Sequence, residues 1–477
     1  MSVPTNTRPP FDKRVDNALQ NEKLQQAVPF TQDRLRDGRF QAAAELGNIE
    51  EWRDLASDIR RDVIENLDSY LEQMAGNVRA NGGHVHFAST AADAVAYVQQ
   101  VARDRNAKSV VKSKSMVTEE IHLNRHLEDS GLDVVESDLG EYIIQLAGET
   151  PSHLIAPAIH KSRHDVAELF SEVAGRPLSA ETEELCAFAR EELRQKFLQA
   201  DIGISGCNFA VAESGSVVLI SNEGNARLTT TLPKVHIAIM GMERLVPTWE
   251  ELDILVSMLT RSATGQKLSV YLTALSGPRQ APDLDGPEEF HLIVLDNGRS
   301  DILGTAYQEI LKCIRCGACL NVCPVYRHIG GHAYGGVYSG PIGAVLTPLL
   351  EGYEEWEELP YASSLCGACT EVCPVKIPLH DLLIEHRKDI VEQGNAPFSE
   401  KATMTGFGTL TAHPTLYDAA IKLAHRGLGL LAEDGVVRKG PGLLGGWTDV
   451  RDLPQPAKQS FRDWWKKEKG AKRHDGQ

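Results

Sequence analysis

Seven of the nine cysteines in this 477-residue chain lie in two short stretches, and their spacing constrains the fold more than any other feature. The first stretch runs from Cys313 to Pro324 with the spacing C-x2-C-x2-C-x3-C-P. A second, incomplete copy runs from Cys366 to Pro374, and Ser363 stands where its first cysteine would be. Closely spaced cysteines in a tight loop let several thiolates converge on one compact metal centre. The repeat therefore predicts a structure built around metal ligands.

The complete motif has the spacing of bacterial ferredoxins, which hold iron–sulfur clusters. In two-cluster proteins of that type, the last cysteine of each motif ligates the other cluster. That rule gives the first cluster four thiols and the second cluster three. The ligands expected for cluster 1 are Cys313, Cys316, Cys319 and Cys373, and those expected for cluster 2 are Cys323, Cys366 and Cys369. Zinc ribbons also use C-x2-C pairs, but they need no four-cysteine run followed by a truncated copy.

The fourth ligand of cluster 2 is open between an oxygen ligand and a distant thiol. Ser363 occupies the aligned position, and water is the other oxygen ligand, although an alkoxide suits soft iron–sulfur chemistry less well than a thiolate. Cys207 is the distant thiol, but burial beside Phe209 is the simpler interpretation. We expect two [4Fe–4S] clusters, the second of which converts to [3Fe–4S] when its exchangeable iron is lost on oxidation.

Composition excludes some classes of partner. The formal net charge of −17 argues against nucleic acid, because phosphate binding needs a basic face. No stretch approaches 18 consecutive apolar residues, so we expect no transmembrane helix, and membrane association only through partners. The first residues lack the apolar run of a signal peptide. We therefore expect a cytoplasmic protein.

The pattern along the chain predicts four segments. Residues 1–48 are polar and predict a loosely ordered arm, and residues 49–296 predict an α/β domain. Helical spacing over 50–79 gives way at His84 to strands that alternate with helices, which predicts a largely parallel sheet covered on both faces. Residues 297–395 predict an α-helical domain around the cysteine motifs. Residues 396–477 form a C-terminal segment whose Trp447, Trp464 and Trp465 predict docking onto another surface.

A second informative stretch surrounds the apolar run Val217–Ile220, which predicts a central strand. Small and polar residues flank the run from Gly206 to Arg227. Loops at strand ends are where α/β sheets place ligand sites. The same glycines and asparagines also suit tight turns with no ligand, so both interpretations stay open.

Other residues carry simpler expectations. Cys186 lies in a helical stretch and predicts a small buried apolar residue. His332 and Tyr334 fall in a glycine-rich insert between the motifs, where they line either a cluster or a partner surface. His380 and His386 follow Pro378 on a helix and predict a solvated face.

The chain resembles the lactate utilisation protein B family, the iron–sulfur subunits of a bacterial L-lactate oxidation system. The resemblance covers nearly the whole length and rests on Lys112–Met116, Glu136–Glu141, Gly206–Arg227, the two cysteine motifs and the tryptophan-containing C-terminal segment. It implies an α/β domain similar to sugar isomerases and CoA transferases. The cluster domain is then similar to the helical ferredoxin domains of succinate dehydrogenase and heterodisulfide reductase.

The resemblance implies an electron carrier that works with other subunits of a complex converting L-lactate to pyruvate. It does not say which subunit holds lactate. The alternative is that the α/β domain itself binds and converts the hydroxy acid, or an acyl thioester, between Glu213 and Asn225. The clusters would then be the electron exit. Glu213 and Glu223 are the acidic residues of that stretch.

Overall fold

The structure is a computed structural model that describes residues 8–394, 398–455, 457 and 459–474. The chain forms two compact units, Met1–Ile390 and Val391–Gln477. The strands are β1 His84–Ala88, β2 Ser109–Lys112, β3 Asp133–Glu136, β4 Ile202–Ser205, β5 Phe209–Val211, β6 Ser216–Ser221, β7 Val235–Gly241, β8 Leu245–Val246, β9 Tyr271–Leu275, β10 Glu289–Leu295, β11 Val436–Val437 and β12 Leu453–Pro454.

The α-helices are distributed over both units. They are α1 Phe11–Gln20, α2 Glu22–Leu46, α3 Ile49–Glu65, α4 Leu67–Ala80, α5 Ala91–Asp104, α6 Met116–Glu120, α7 Leu123–Asp129, α8 Leu139–Ala147, α9 Arg163–Ala174, α10 Thr182–Gln199, α11 Asn225–Thr231, α12 Trp249–Thr264, α13 Ala318–Asn321, α14 Pro324–Ile329, α15 Gly340–Glu351, α16 Ala368–Glu371, α17 Leu379–Glu392, α18 Phe398–Ala412, α19 Pro414–Leu431, α20 Leu443–Thr448 and α21 Phe461–His474. Among the described residues, none of these helices has the length and apolarity needed to span a membrane.

The predicted parallel sheet is present. Its six strands run in the order β1-β10-β7-β4-β2-β3, and every neighbouring pair is parallel. Strand β7 shows why its sequence is apolar throughout. Ile237 and Ile239 enter the core on one face, while Ala238 and Met240 enter the core on the other. Helices cover both faces of such a sheet, so neither side of the strand meets water.

Val217–Ile220 lies in a central strand, as expected, but the sheet that contains this strand was not predicted. This run lies in β6, an inner strand of a four-stranded sheet with the order β8-β5-β6-β9. Strand β6 pairs antiparallel with both neighbours, and the tight turn before it contains Gly215 with φ +68°. The run is apolar because Val217 and Val218 enter two different cores. Burial on both faces therefore indicated an inner strand but not the sheet to which it belongs.

The expectation of a loosely ordered arm is wrong for the described residues from 8 onward. Helices α1 and α2 occupy this stretch, and the Asn21 side chain caps α2 by accepting the Leu24 N–H. The buried stripe of α2 includes Val28 but also the polar Gln32 and Arg39, which weakened the apolar signal. These polar groups donate to backbone carbonyls of the cysteine motifs. The stripe is therefore a binding face for the cluster-binding region.

Short helices carry the cysteine motifs, as predicted. Helices α13 and α16 each begin right after a motif glycine, and α15 between them is buried over most of its length. The second unit is different. Helices α18 and α19 bury none of their described residues, while Trp447, Trp464 and Trp465 are each about half exposed.

Candidate metal centre and adjoining cavity

The two cysteine motifs adopt the same local backbone. Arg315 and Leu365 have φ values of +59° and +54°, and Gly317 and Gly367 follow with +75° and +80°. A four-residue helix comes next in each copy. The left-handed conformation of Arg315 and Leu365 is costly for side chains other than glycine, so the motif turns are held by their surroundings. The repeat in the sequence is thus a repeat in conformation.

The fold gathers the seven motif thiols into two groups that mix the motifs. Cys373, from the second motif, borders the same small cavity as the first three cysteines of the first motif. Burial raises the pKa of Cys373, and the charge of Cys313 adds to the effect. Cys323, from the first motif, interacts instead with Cys366 and Cys369 of the second. The groups that sequence spacing assigned are therefore close in space.

Burial leaves these thiols in need of a cation. It raises the pKa of Cys316 to about 12, with Cys373 and Cys313 adding to the effect, and it raises the pKa of Cys373 to about 11. Several deprotonated thiols in one buried site repel one another unless a metal offsets their charge. Without a metal the thiols would stay protonated, and an S–H group is only a weak hydrogen-bond donor. The donor set therefore suits a positively charged iron core.

Backbone amides support negative charge on the sulfurs. The Arg315 N–H donates to Cys313 Sγ at 3.4 Å, and the Tyr326 N–H donates to Cys323 Sγ at 3.4 Å. The Ile377 N–H donates to Cys373 Sγ at 3.3 Å. The fully buried hydroxyl of Tyr334 lies beside Cys323, and burial followed by the charge of Cys323 raises the pKa of Tyr334. A Cys323 thiolate would accept a hydrogen bond from this hydroxyl. These features fit iron–sulfur clusters, whose potentials respond to such hydrogen bonds.

Ser363 makes the same local hydrogen bond as Cys313, which holds the matching position in the first motif. Its Oγ accepts the Leu365 N–H at 3.1 Å, as Cys313 Sγ accepts the Arg315 N–H in the first motif. Cys207 packs instead against the core of the α/β sheet, in agreement with simple burial. Burial raises its pKa to about 12.

The N-terminal helices brace the motifs, a role that sequence reasoning missed. Gln32 Nε2 donates to the carbonyl oxygens of Leu320 and Cys323 at 2.7 and 3.2 Å. One arginine from α2 and one from α3 do the same in the second motif. Arg39 donates to Val372 O at 2.8 Å and Arg53 donates to Cys373 O at 3.0 Å. The sequence did contain a signal for this role, because Gln32 and Arg39 lie at the same helical spacing as the apolar residues of α2.

A larger cavity of about 670 Å³ adjoins the first thiol group. It is lined by the loops after β2, β4 and β6 and by Ile314 and Arg315, which also border the thiol cavity. Several residues of the stretch 206–227 line it, including Asn208, Ser221 and Glu223. The loops of this stretch therefore form a cavity wall.

Glu213 and Glu223 have different surroundings. Glu213 Oε1 accepts the Trp249 N–H at 2.8 Å and so supports the start of α12. Glu223 faces the cavity, and burial followed by the charge of Asp138 raises its pKa. Only Glu223 is placed to meet a ligand in this cavity.

The structure places the remaining histidines and Cys186 at different depths. His386 is fully buried, which makes the solvated-face expectation wrong for it. Its Nε2–H donates to Val345 O and its Nδ1 accepts the Tyr353 hydroxyl at 2.6 Å, so the helix turns this residue inward to satisfy two groups. His380 is half-buried against Thr370, and Cys186 is half-buried rather than enclosed. His332 Nε2–H donates to the Thr150 carbonyl at 2.7 Å.

Known proteins with related sequences cover the whole described architecture. The LUD domain profile matches residues 71–295, the 4Fe-4S dicluster domain profile matches residues 309–377, and the profile for the C-terminal part of lactate utilisation protein B matches residues 384–470. A solved DUF162 family protein from Deinococcus radiodurans aligns with 48% of this chain and 98% of its own at 17% identity. The TM-score of this alignment is 0.28.

Near full-length relatives are more informative. Lactate utilization protein B of Shouchella clausii is 58% identical over 467 residues, which are 98% of this chain and 98% of that protein. Its namesake from Bacillus subtilis is 56% identical over 457 residues, which are 95% of each chain. With this identity over this length, and with the dicluster geometry above, the chain belongs to the lactate utilisation protein B family.

Proposed function

We propose that this protein is the iron–sulfur electron-transfer subunit of a multi-subunit assembly that oxidises L-lactate to pyruvate. The observation that carries the proposal is the pair of thiol groups, each drawn from both motifs and close to the other. The groups are close enough that the charge of Cys369 adds to the burial that raises the pKa of Cys319. Such proximity suits passage of electrons from one centre to the next.

In this proposal, cluster 1 is held by Cys313, Cys316, Cys319 and Cys373, and cluster 2 by Cys323, Cys366 and Cys369. The bound clusters would supply one-electron redox chemistry. Oxidation of a 2-hydroxy acid to a 2-keto acid releases two electrons and two protons, and two one-electron centres match that number. The chain's own contribution is to exclude water, to donate N–H groups to the sulfurs and to hold the two motifs in register through α2 and α3.

Cluster 2 is proposed to have an exchangeable iron next to Ser363. Cys366 is exposed to solvent, whereas the cysteines of the other group are half-buried or buried. Three thiols with an oxygen ligand, Ser363 or water, hold a fourth iron less firmly than four thiols do. Loss of that iron on oxidation would leave a [3Fe–4S] core.

Partner subunits are proposed to dock on the C-terminal unit. Its exposed apolar side chains include Phe407, Leu423 and Leu430, and the ring of Phe461 packs against Trp464 and Trp465. Aromatic clusters of this kind anchor protein interfaces. The function would be exercised in the cytoplasm, with membrane association only through partners.

Anaerobic purification followed by iron and sulfide analysis and EPR tests the core of the proposal. Two clusters per chain, reducible by the lactate-oxidising assembly on addition of L-lactate, are expected. Zinc in place of iron, or iron without acid-labile sulfide, would refute it. Dye-linked lactate oxidation by the isolated reconstituted chain then separates a carrier, which is inactive alone, from a self-sufficient enzyme.

The second candidate function is that the α/β domain binds the acid itself. The cavity favours it, because its wall is formed both by the strand-end loops and by the peptide between Cys313 and Cys316. Ile314 and Arg315 would separate a ligand there from the first cluster. An acyl thioester is the other ligand class consistent with a cavity of this size.

A further inference from the structure

Three cationic side chains at the large cavity have buried N–H groups that lack a hydrogen-bond partner in the described part of the chain. Arg244 is 6% exposed, and its Nε finds no hydrogen-bond partner among the described residues. Arg315 Nε, Arg315 Nη1 and Lys114 Nζ are also buried without a hydrogen-bond partner among these residues. All three residues line the cavity. Buried polar groups in native proteins nearly always have partners, so their grouping around one space indicates an acceptor that the protein does not itself supply.

The buried carboxylates here do not balance these cations. Glu243 lies 3.7 Å from Arg244 and 3.6 Å from Arg315, but its closest partner is Arg299 at 2.9 Å. Arg299 in turn pairs with Glu120 at 2.8 Å. Glu243 thus lies near three guanidinium groups. One of these, that of Arg299, also pairs with Glu120. Buried charge without compensation is strongly unfavourable, so an additional anion stabilises this arrangement.

The first thiol group explains only part of this positive charge. Arg244 Nη1 donates to the Cys313 carbonyl oxygen at 3.4 Å, and Arg315 lies over the ring of Tyr338. Lys114 comes instead from the loop after β2. Its one ion pair, with Glu141, is long at 3.4 Å and does not form a hydrogen bond. Cations from both walls therefore face the cavity.

The remaining lining suits a small polar ligand. Hydroxyl and amide side chains lie on the α/β wall together with the carboxylates of Asp138 and Glu223; they are Ser113, Ser115, Asn208, Ser221, Asn222 and Asn225. Guanidinium groups bind carboxylates through paired N–H donors in a fixed plane. Hydroxyl and amide groups can then pair with a second oxygen on the neighbouring carbon. A simple fatty acid would leave these groups without partners.

We propose that this cavity binds a small 2-hydroxy or 2-keto acid, whose carboxylate is held by Arg244 and Arg315 with Lys114 opposite. The inference rests on the proposed function, from which it takes the redox setting, and it deepens the second candidate. Ile314 and Arg315 separate the acid from cluster 1 by a single peptide wall. The α/β domain is thus a substrate or product site whose occupancy the cluster senses.

Binding is measured on the cluster-loaded full chain under anaerobic conditions. We expect L-lactate and pyruvate to give saturable heats in calorimetry and to shift the EPR signal of reduced cluster 1. L-lactamide has the same shape without the charge, and it should do neither. Inorganic phosphate is the other oxyanion that such a pocket could take. Saturable binding of phosphate but not of either acid would overturn the assignment to a carboxylate.

Variants locate the site. Arg244→Gln and Lys114→Gln should each weaken L-lactate binding at least tenfold, whereas Arg125→Gln, at an exposed helix position, should leave it within twofold. Arg244 touches the Cys313 loop, so Lys114→Gln carries the test if the first variant loses its clusters. Equal affinity in wild type and Lys114→Gln would overturn the site.

The outcomes separate this inference from the proposed function. A protein with both clusters, reducible through its partners, that shows neither heat nor an EPR shift with L-lactate or pyruvate would keep the carrier role and remove the cavity site. A protein that binds L-lactate through Lys114 but holds no iron–sulfur cluster would keep the site and remove the carrier role.

Discussion

Replacing Gly331 by alanine should loosen the contact between the α/β domain and the cluster-binding region. An added Cβ would lie 1.8 Å from the carbonyl oxygen of Ser152 and 2.6 Å from its carbonyl carbon. Gly331 has φ −78°, an ordinary value for any residue, so the effect is purely steric. Real Cβ atoms do not approach another heavy atom closer than 3.0 Å, and reaching that separation requires the two backbones to part by at least 1.2 Å.

The cost has two parts. Forcing extra volume into a packed site typically costs about 1–3 kcal/mol. The Ser152 carbonyl also accepts the hydroxyl of the fully buried Tyr326 at 2.8 Å, and losing a buried hydrogen bond costs about 1–3 kcal/mol more. We therefore expect Gly331→Ala to lower the free energy of unfolding by about 2–6 kcal/mol. Because the Tyr326 N–H donates to Cys323 Sγ, iron of the second cluster should be released faster as well.

Urea titration followed by tryptophan fluorescence and by cluster absorbance measures both effects. Gly76→Ala is the matched control, because Gly76 lies on the exposed face of α4 with no atom within 4 Å of an added Cβ. Alanine in a helix is favoured over glycine by about 0.5–1 kcal/mol, so this variant should be slightly more stable than wild type. Equal stability of the Gly331 and Gly76 variants would refute the close approach of Gly331 to Ser152.

Four further predictions address the clusters, the C-terminal unit and pH. Cys373→Ser should alter the EPR signal of cluster 1 although it lies in the second motif, and a change confined to the other cluster would contradict crossed ligation. Mild ferricyanide should produce a [3Fe–4S] EPR signal that ferrous iron with reductant removes; a three-iron signal from the outset, unaffected by iron, would show that form to be native. Truncation after Lys439 should weaken co-purification with partner subunits and preserve cluster absorbance, and unchanged co-purification would exclude docking there. Burial raises the pKa of Glu141 from 4.5 to about 7, against the opposing charge of Lys114, so the folded state keeps a proton that the unfolded state loses. Wild type should therefore lose stability relative to Glu141→Gln as pH rises from 4.5 to 7, by up to about 3 kcal/mol, and a flat difference in urea midpoint would contradict this.

Local features were predictable because neighbouring residues determine them. The repeat of the two cysteine motifs indicated a repeated turn, and Gly317 and Gly367 take the same left-handed conformation. Alternating strands and helices indicated a parallel sheet, since a parallel connection needs a crossover of a dozen or more residues. Threonine is a favoured residue at helix starts, and the Thr90 side chain accepts the Asp93 N–H at the start of α5. Each of these depends on contacts within a few residues.

Three features came only from the tertiary structure. The apolar run of β6 reported burial on both faces, but its neighbours β5 and β9 lie on either side of it in a second sheet that no local pattern distinguishes. The polar Gln32 and Arg39 made α2 look solvated until the carbonyl groups of the cysteine motifs met them. His386 was misjudged for the same reason, because its partners Tyr353 and Val345 come from another part of the chain.

The sequence by itself therefore determined which groups this protein has for chemistry: seven cysteines in a cluster pattern, within a family whose members share its full length. The tertiary structure decided what those groups face. It placed Arg244 and Lys114, 130 positions apart in the chain, around one cavity beside Cys313. The physical reason is that buried polar groups are satisfied by whatever the fold brings to them, and chain spacing does not encode which distant segment that is.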